Sequence, residues 1–231
     1  MKTAGIIGGL GPETTSDFYL DVLYSCYRKT KSAKPGIIIA SVPLPYHIEE
    51  DLITKNTGTE RYIPYLVNEA KRLEKAGADF LVMPCNSLHI YIEDIRNAVD
   101  ISVLSIIDET VDFLKKNNLK KVGVLSTTAT VQNKLYETSF EQKGIDYFIP
   151  EDFQQKKIDR IIMNILSGLR MNSDREELER IIGGFENKNV DCVTLACTDL
   201  QVIRPEHAHV KIYDTMNILA RATVDEILNK R

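Results

Sequence analysis

No run in this sequence is long and apolar enough to cross a bilayer as a helix. The apolar stretch that follows Met1-Lys2-Thr3 is cut short by Pro12 and Glu13 and lacks a cleavage context, so no signal peptide is expected. Basic blocks are missing as well. Lysine and arginine are scattered and the net charge is −4, which argues against a nucleic-acid or anionic-membrane surface. Four cysteines in 231 residues are too sparse for the disulfide framework of a secreted domain. They form no C-x-x-C, which removes a thioredoxin-like redox pair. The histidines (His47, His89, His207 and His209) show no ligand spacing with the cysteines, so no metal is expected. These absences lead to an expectation of a cytoplasmic protein with free thiols.

The composition is otherwise that of an ordinary globular protein, 43% hydrophobic and 27% charged, in a chain long enough for one large domain or two small ones. Short apolar runs at Ala4–Ile7, Gly36–Val42, Phe80–Met83 and Val103–Ile107 read as buried parallel strands. Val122–Leu125, Asp146–Ile149, Val190–Leu195 and Val210–Tyr213 read as a second set. Stretches of helical periodicity separate them, among them Leu88–Ala98, Val131–Lys143 and Gln155–Leu169. The halves also resemble each other. Lys2-Thr3-Ala4-Gly5-Ile6-Ile7 matches Lys120-Lys121-Val122-Gly123-Val124-Leu125, and the stretch from Gly77 to Ser87 matches that from Asn189 to Asp199, in the same order. Duplication is the better explanation. The expected fold class is α/β, with two pseudo-symmetric lobes, each a roughly four-stranded, mostly parallel sheet flanked by helices. The first lobe is placed at 1–117 and the second at 118–214, with a C-terminal helix at 215–231 packing back on the first. The active site is expected in the cleft between the lobes, beyond the carboxyl ends of the strands.

Both matched segments end on a cysteine, Cys85 and Cys197. Asn86-Ser87 and Thr198 come next as expected N-caps, and Gln201 falls where a capping box wants it. A thiol at a helix N-terminus is expected to have its pKa lowered. The competing interpretation treats each cysteine as a small buried apolar residue. That is the reading adopted for Cys26, inside a helix, and for Cys192, inside a strand. The turn Gly8-Gly9-Leu10-Gly11-Pro12 fits neither a dinucleotide fingerprint nor a P-loop, and its glycines are expected to let backbone approach a small ligand. Ser126-Thr127-Thr128-Ala129-Thr130 offers hydroxyls and N–H groups to a carboxylate, or simply caps the next helix. Two thiols facing a carbon acid could remove a proton on one face and return one on the other, inverting the centre.

At these residues the chain resembles the cofactor-independent aspartate/glutamate racemase family. The resemblance runs over essentially the whole length. It rests on Gly5-Ile6-Ile7-Gly8-Gly9-Leu10-Gly11-Pro12, Met83-Pro84-Cys85-Asn86-Ser87-Leu88-His89, Thr127-Thr128-Ala129-Thr130 and Ala196-Cys197-Thr198-Asp199. It implies a homodimer, catalysis by Cys85 and Cys197, an amino-acid substrate and no pyridoxal phosphate or other cofactor. It also implies substrate contacts at Asn86, Ser87, Thr127, Thr130 and Thr198, with His47 at a further contact position. Aspartate-specific members carry Arg where His47 aligns and Lys where Leu166 aligns, so the usual grip on a side-chain carboxylate is absent, unless Arg61, Arg160 or Arg170 replaces it. The readings kept open beside a racemase are a related isomerase or decarboxylase, and an idle amino-acid-binding protein.

Overall fold

The structure, a computed structural model, describes residues 1–31, 33–45, 48 and 58–230. It contains two four-stranded sheets. Strands β1 (Ala4–Gly8), β2 (Ile37–Ser41), β3 (Phe80–Val82) and β4 (Ser102–Leu104) form the first, in the order β2-β1-β3-β4. Strands β5 (Lys121–Leu125), β6 (Asp146–Phe148), β7 (Cys192–Leu195) and β8 (Ile212–Asp214) form the second, in the order β6-β5-β7-β8. Every pairing is parallel, and the two orders are equivalent. The α/β class and the two four-stranded sheets expected from sequence are therefore present.

Shared local chemistry accounts for the matched segments. At the foot of the first sheet, Asp79 accepts the Thr3 N–H at 2.6 Å, and in the second Asp191 accepts those of Lys120 and Lys121 at 2.6 and 2.9 Å. Each carboxylate fixes where two neighbouring central strands begin. Gly5 and Gly123 also do equal work. A Cβ on Gly5 would lie 2.7 Å from Leu81 Cδ2, and one on Gly123 would lie 2.8 Å from Val193 Cγ2, so only glycine lets the adjacent strand's side chain lean across.

One hydrophobic core runs through both halves. It joins Ala4, Ile6, Phe80 and Val82 of the first sheet to Val122, Val124 and Cys192 of the second. Helix Thr215–Ile227 contributes Met216, Leu219 and Val224 to it, and packs against helices Pro12–Thr30 and Ile106–Lys116. The Lys2 N–H donates to the carbonyl of Ile227 at 2.9 Å, which ties the end of that helix to the first strand's approach.

Three sequence expectations need correction. The fourth strand stops at Leu104, because Ser105 accepts the Asp108 N–H at 3.1 Å and starts a helix at Ile106. The Leu88–Ala98 helix is a 3₁₀ turn, Ser87–Tyr91, followed by a short α-helix, Ile92–Arg96. The Val131–Lys143 helix is two, Thr128–Gln132 and Glu137–Lys143. Lys134 takes φ 51° between them, and the Leu135 N–H closes back on the Thr130 carbonyl at 3.2 Å. Apolar periodicity carries no signal for that break.

Candidate active site

The central strands of the two sheets end at one cavity. Leu10 and Gly11 come after β1, Cys85 to Leu88 after β3, Thr127 after β5, and Cys197 to Asp199 after β7. Tyr62 closes one side, and Ile162 and Leu166, from helix Asp152–Leu166, close another. Six of the residues singled out from sequence thus meet in one place: Cys85, Asn86, Ser87, Thr127, Cys197 and Thr198. Thr130 is buried behind them, and His47 lies outside the described residues.

Gly11 lets the loop after β1 press close to the chain that follows β7. It has φ 78°, and a Cβ there would stand 2.7 Å from Thr14 Oγ1 and 3.1 Å from Asp199 Oδ1. Across the cavity three hydroxyls form a cluster. Ser87 Oγ lies 2.8 Å from Thr127 Oγ1 and 3.3 Å from Thr130 Oγ1, and the two threonine oxygens are 3.1 Å apart. Thr127 also accepts the Thr130 N–H at 3.2 Å, so the cap read as the alternative role for this segment is made as well. Three mobile protons shared among three oxygens can be rearranged to present O–H donors to an anion.

Asn86 does not cap the turn after it. Its Oδ1 accepts from the Tyr136 hydroxyl at 2.6 Å, and its Nδ2 donates to Thr215 Oγ1 at 3.2 Å. Thr215 Oγ1 donates in turn to the Leu195 carbonyl at 2.9 Å. The chain Tyr136–Asn86–Thr215–Leu195 ties the residue after Cys85 to the strand that delivers Cys197. An amide has two N–H donors, so one remains for the cavity. Neither Tyr136 nor Thr215 sits in a motif, and their sequence distance from Asn86 hid them. Tyr136 is buried, and burial pushes its pKa well above the usual phenol value, so its proton stays on the donor side of that bond. Tyr136→Phe is expected to leave the buried Asn86 carbonyl unpaired and to cost about 1–3 kcal/mol in urea unfolding. An unchanged midpoint would mean that Asn86 does not depend on this bond.

His89 holds the other side of the cysteine turn. Its Nδ1 is 2.6 Å from the Cys85 carbonyl, and its Nε2 accepts the Ile106 N–H at 3.1 Å. These partners require a neutral ring with its proton on Nδ1. Burial enforces that state, lowering the pKa from 6.5 to about 4. The ring therefore welds Cys85 to the start of the Ile106–Lys116 helix.

The two thiols sit in unlike surroundings. Cys85 is partly exposed and Cys197 is buried. Cys197 Sγ donates to Asp199 Oδ2 at 3.7 Å. Burial pushes its pKa well up, and the charges of Asp199 and of Cys85 push the same way. The N–H groups of Asp199 and Leu200 pull it down, but less. The expectation that a helix N-terminus lowers this thiol's pKa is therefore overturned. The chain beyond Cys197 makes only a four-residue 3₁₀ turn, Leu200–Ile203, whose few N–H groups do not offset desolvation. The expected cap by Thr198 and capping box with Gln201 are not made either; the Gln201 amide lies beside Met216 and donates its N–H to the Asp214 carboxylate. Cys26 and Cys192 are wholly buried in the core, as expected, and burial lifts Cys192 to about 12.

The arginines weighed as substitutes for the missing side-chain clamp are engaged elsewhere. Arg170 pairs with Glu13 and donates to the Ile165 carbonyl at 2.7 Å. Arg160 faces Asp174 at 3.8 Å, and Arg61 donates to the Gly58 carbonyl at 2.9 Å. Leu166, which aligns with the missing lysine, does line the cavity.

Known proteins resemble this chain in sequence and in fold. The family model described as Asp/Glu/Hydantoin racemase matches residues 7–223. The chain is 27% identical over 229 residues to the broad specificity amino-acid racemase RacX of Bacillus subtilis (strain 168), covering 97% of each chain. Its structure is similar to that of the Picrophilus torridus aspartate racemase, with a TM-score of 0.82, 27% identity, and 98% and 94% of the two chains covered. It is also similar to PH1733, an aspartate racemase homologue from Pyrococcus horikoshii OT3, with a TM-score of 0.79, 28% identity, and 99% and 100% covered. The chain belongs to the Asp/Glu/hydantoin racemase family.

Proposed function

We propose that the protein racemises a free amino acid by two-base proton transfer between Cys85 and Cys197. The observation that carries this reading is that both cysteines, from equivalent strand ends of the two sheets, line one cavity together with a hydroxyl cluster. In one direction a Cys85 thiolate takes the Cα proton, and the Cys197 thiol delivers a proton to the opposite face. The centre inverts, and the enzyme is left with a Cys85 thiol and a Cys197 thiolate, ready for the reverse direction. Burial pushes the Cys197 thiol up, which suits it to the acid role in this direction. Ser87, Thr127, Thr198 and the remaining Asn86 N–H hold the substrate carboxylate and stabilise the charge that develops on it. Thr130 acts through Ser87 and Thr127. The thiols supply both acid and base, so the reading calls for no cofactor.

A related decarboxylase needs only one acidic thiol at its reacting carbon, and the second thiol in the same cavity favours racemisation over that reading. The test is incubation of the protein in deuterated water with a panel of L-amino acids, read by loss of the Cα–H signal and by chiral chromatography. Deuterium at Cα accompanied by D-enantiomer is the expected result. Binding of amino acids with no exchange on any of them would leave an idle binding protein instead.

A further inference from the structure

We infer that the substrate's side chain is uncharged and apolar, and that Ile162 and Leu166 select it; the inference rests on the racemase reading of the same cavity. Among the described residues, the apolar part of the cavity is built from Leu10, Leu88, Ile162, Leu166 and the ring of Tyr62, with Gly11 and Asp199 completing the lining. Ile162 and Leu166 stand one helical turn apart, so they present adjoining aliphatic surfaces. The wall they make is stiff. Ile158, Ile161 and Ile165 on the same helix are buried in the core of the second sheet, and Leu166 packs against that core. A wall of this kind cannot swing aside to admit water around a charged group.

Charge leads to the same conclusion. Asp199 is the single charged side chain among the described residues that line the cavity, and no lysine, arginine or histidine joins it there. Every amino acid brings an α-ammonium that needs an anion, and Asp199 is the one charge there of the right sign to meet it. A substrate carboxylate in the side-chain position would lie against aliphatic carbon, near a like charge and with no cation among the described residues that line the cavity. A side-chain ammonium or guanidinium would have to share Asp199 with the α-ammonium. An apolar side chain alone leaves no buried charge unpaired.

The test compares kcat/KM for deuterium exchange on alanine, norvaline, leucine, methionine, aspartate, glutamate and lysine, with the shift in Tm that each produces in the unaltered protein. Leucine, norvaline or methionine is expected to exceed aspartate and lysine by about 100-fold, and extending alanine to norvaline is expected to gain about tenfold or more. Leu166→Lys should raise aspartate or glutamate relative to leucine by at least about tenfold. Leu166→Ala should weaken leucine without helping aspartate. Fastest exchange on an acidic or basic amino acid, or an unchanged ratio in Leu166→Lys, overturns the inference while leaving the racemase reading intact. If nothing exchanges, the racemase reading fails, and the Tm shifts still decide: stabilisation by aspartate, glutamate or lysine alone, or by none of the seven, overturns the apolar assignment too.

Discussion

Replacing Cys85 or Cys197 by serine is expected to stop racemisation while leaving α-proton exchange alive on one enantiomer, and on the opposite enantiomer in each variant. Inversion needs an acid and a base on opposite faces of Cα, so losing either thiol removes one half of it. A positioned general acid or base contributes about 10²–10⁴-fold, and serine is too weakly acidic to replace a thiol in either role. A single remaining cysteine can still take the proton that faces it, exchange it with solvent, and return deuterium to the same face. Cys197→Ser therefore keeps exchange on the enantiomer whose Cα–H faces Cys85, and Cys85→Ser keeps the other. The two rates need not match, because the thiols differ in burial and Cys197 is hydrogen-bonded to Asp199. Chiral chromatography measures the racemisation, and proton NMR in deuterated water measures exchange on each pure enantiomer. Circular dichroism separates chemical loss from unfolding. Exchange surviving on the same enantiomer in both variants would sink the opposed-thiol assignment, as would near-normal racemisation in either.

Much of the fold was legible because its signals are local. An aspartate before an apolar run marks the foot of β3 and of β7, where Asp79 and Asp191 take N–H groups of the adjoining strand. Glycine at Gly5 and Gly123 marks the central strands that have no room for a Cβ. These features recur in order, so the duplication and the pairing of Cys85 with Cys197 could be read from sequence. The break at Lys134 could not, since a left-handed residue between two apolar stretches leaves the helical period of each intact.

The candidate site was legible in its residue types but not in its wiring. Asn86 and Thr198 are good caps by composition, and that led to roles they do not take. Asn86 is drawn instead to Tyr136 and Thr215, partners supplied by the second half of the chain. Cys197 was expected to have an easily lost proton because its neighbours' N–H groups can be read from sequence, whereas the surrounding bulk that desolvates it cannot. Ile162 looked like any core position of an amphipathic helix. Only the placement of that helix puts its edge, with Leu166, at the cavity.

Stability is expected to vary little between about pH 4 and 6.5 in the unaltered protein, and to acquire opposite slopes in two variants. Burial lowers His89 from 6.5 to about 4, while burial and the nearby Asp21 raise Asp214 from 3.8 to about 7. At pH 5 the unfolded chain carries a proton on His89 and none on Asp214, and the folded chain does the reverse. The proton counts cancel, and with them the slope. Asp214→Asn removes one side of this balance and keeps the side-chain oxygen that accepts the Met216 N–H at the start of the last helix. The depressed His89 then acts alone: its contribution is complete above pH 6.5 and is lost as pH falls toward 4, about 3 kcal/mol in all. His89→Asn leaves the raised Asp214 alone: its contribution is complete below pH 3.8 and is lost as pH rises through 7. Glu177 and Glu179, held below the usual carboxylate range by hydrogen bonds from Lys157 and Arg175, add the same shallow acid-side loss to all three proteins. Urea unfolding by circular dichroism at pH 4.5, 5.5, 6.5 and 7.5 measures the differences between variants, from which that common slope drops out. Slopes of the same sign in the two variants would show that His89 and Asp214 do not exchange a proton on folding, and the neutral His89 that fixes the Cys85 carbonyl would lose its electrostatic basis.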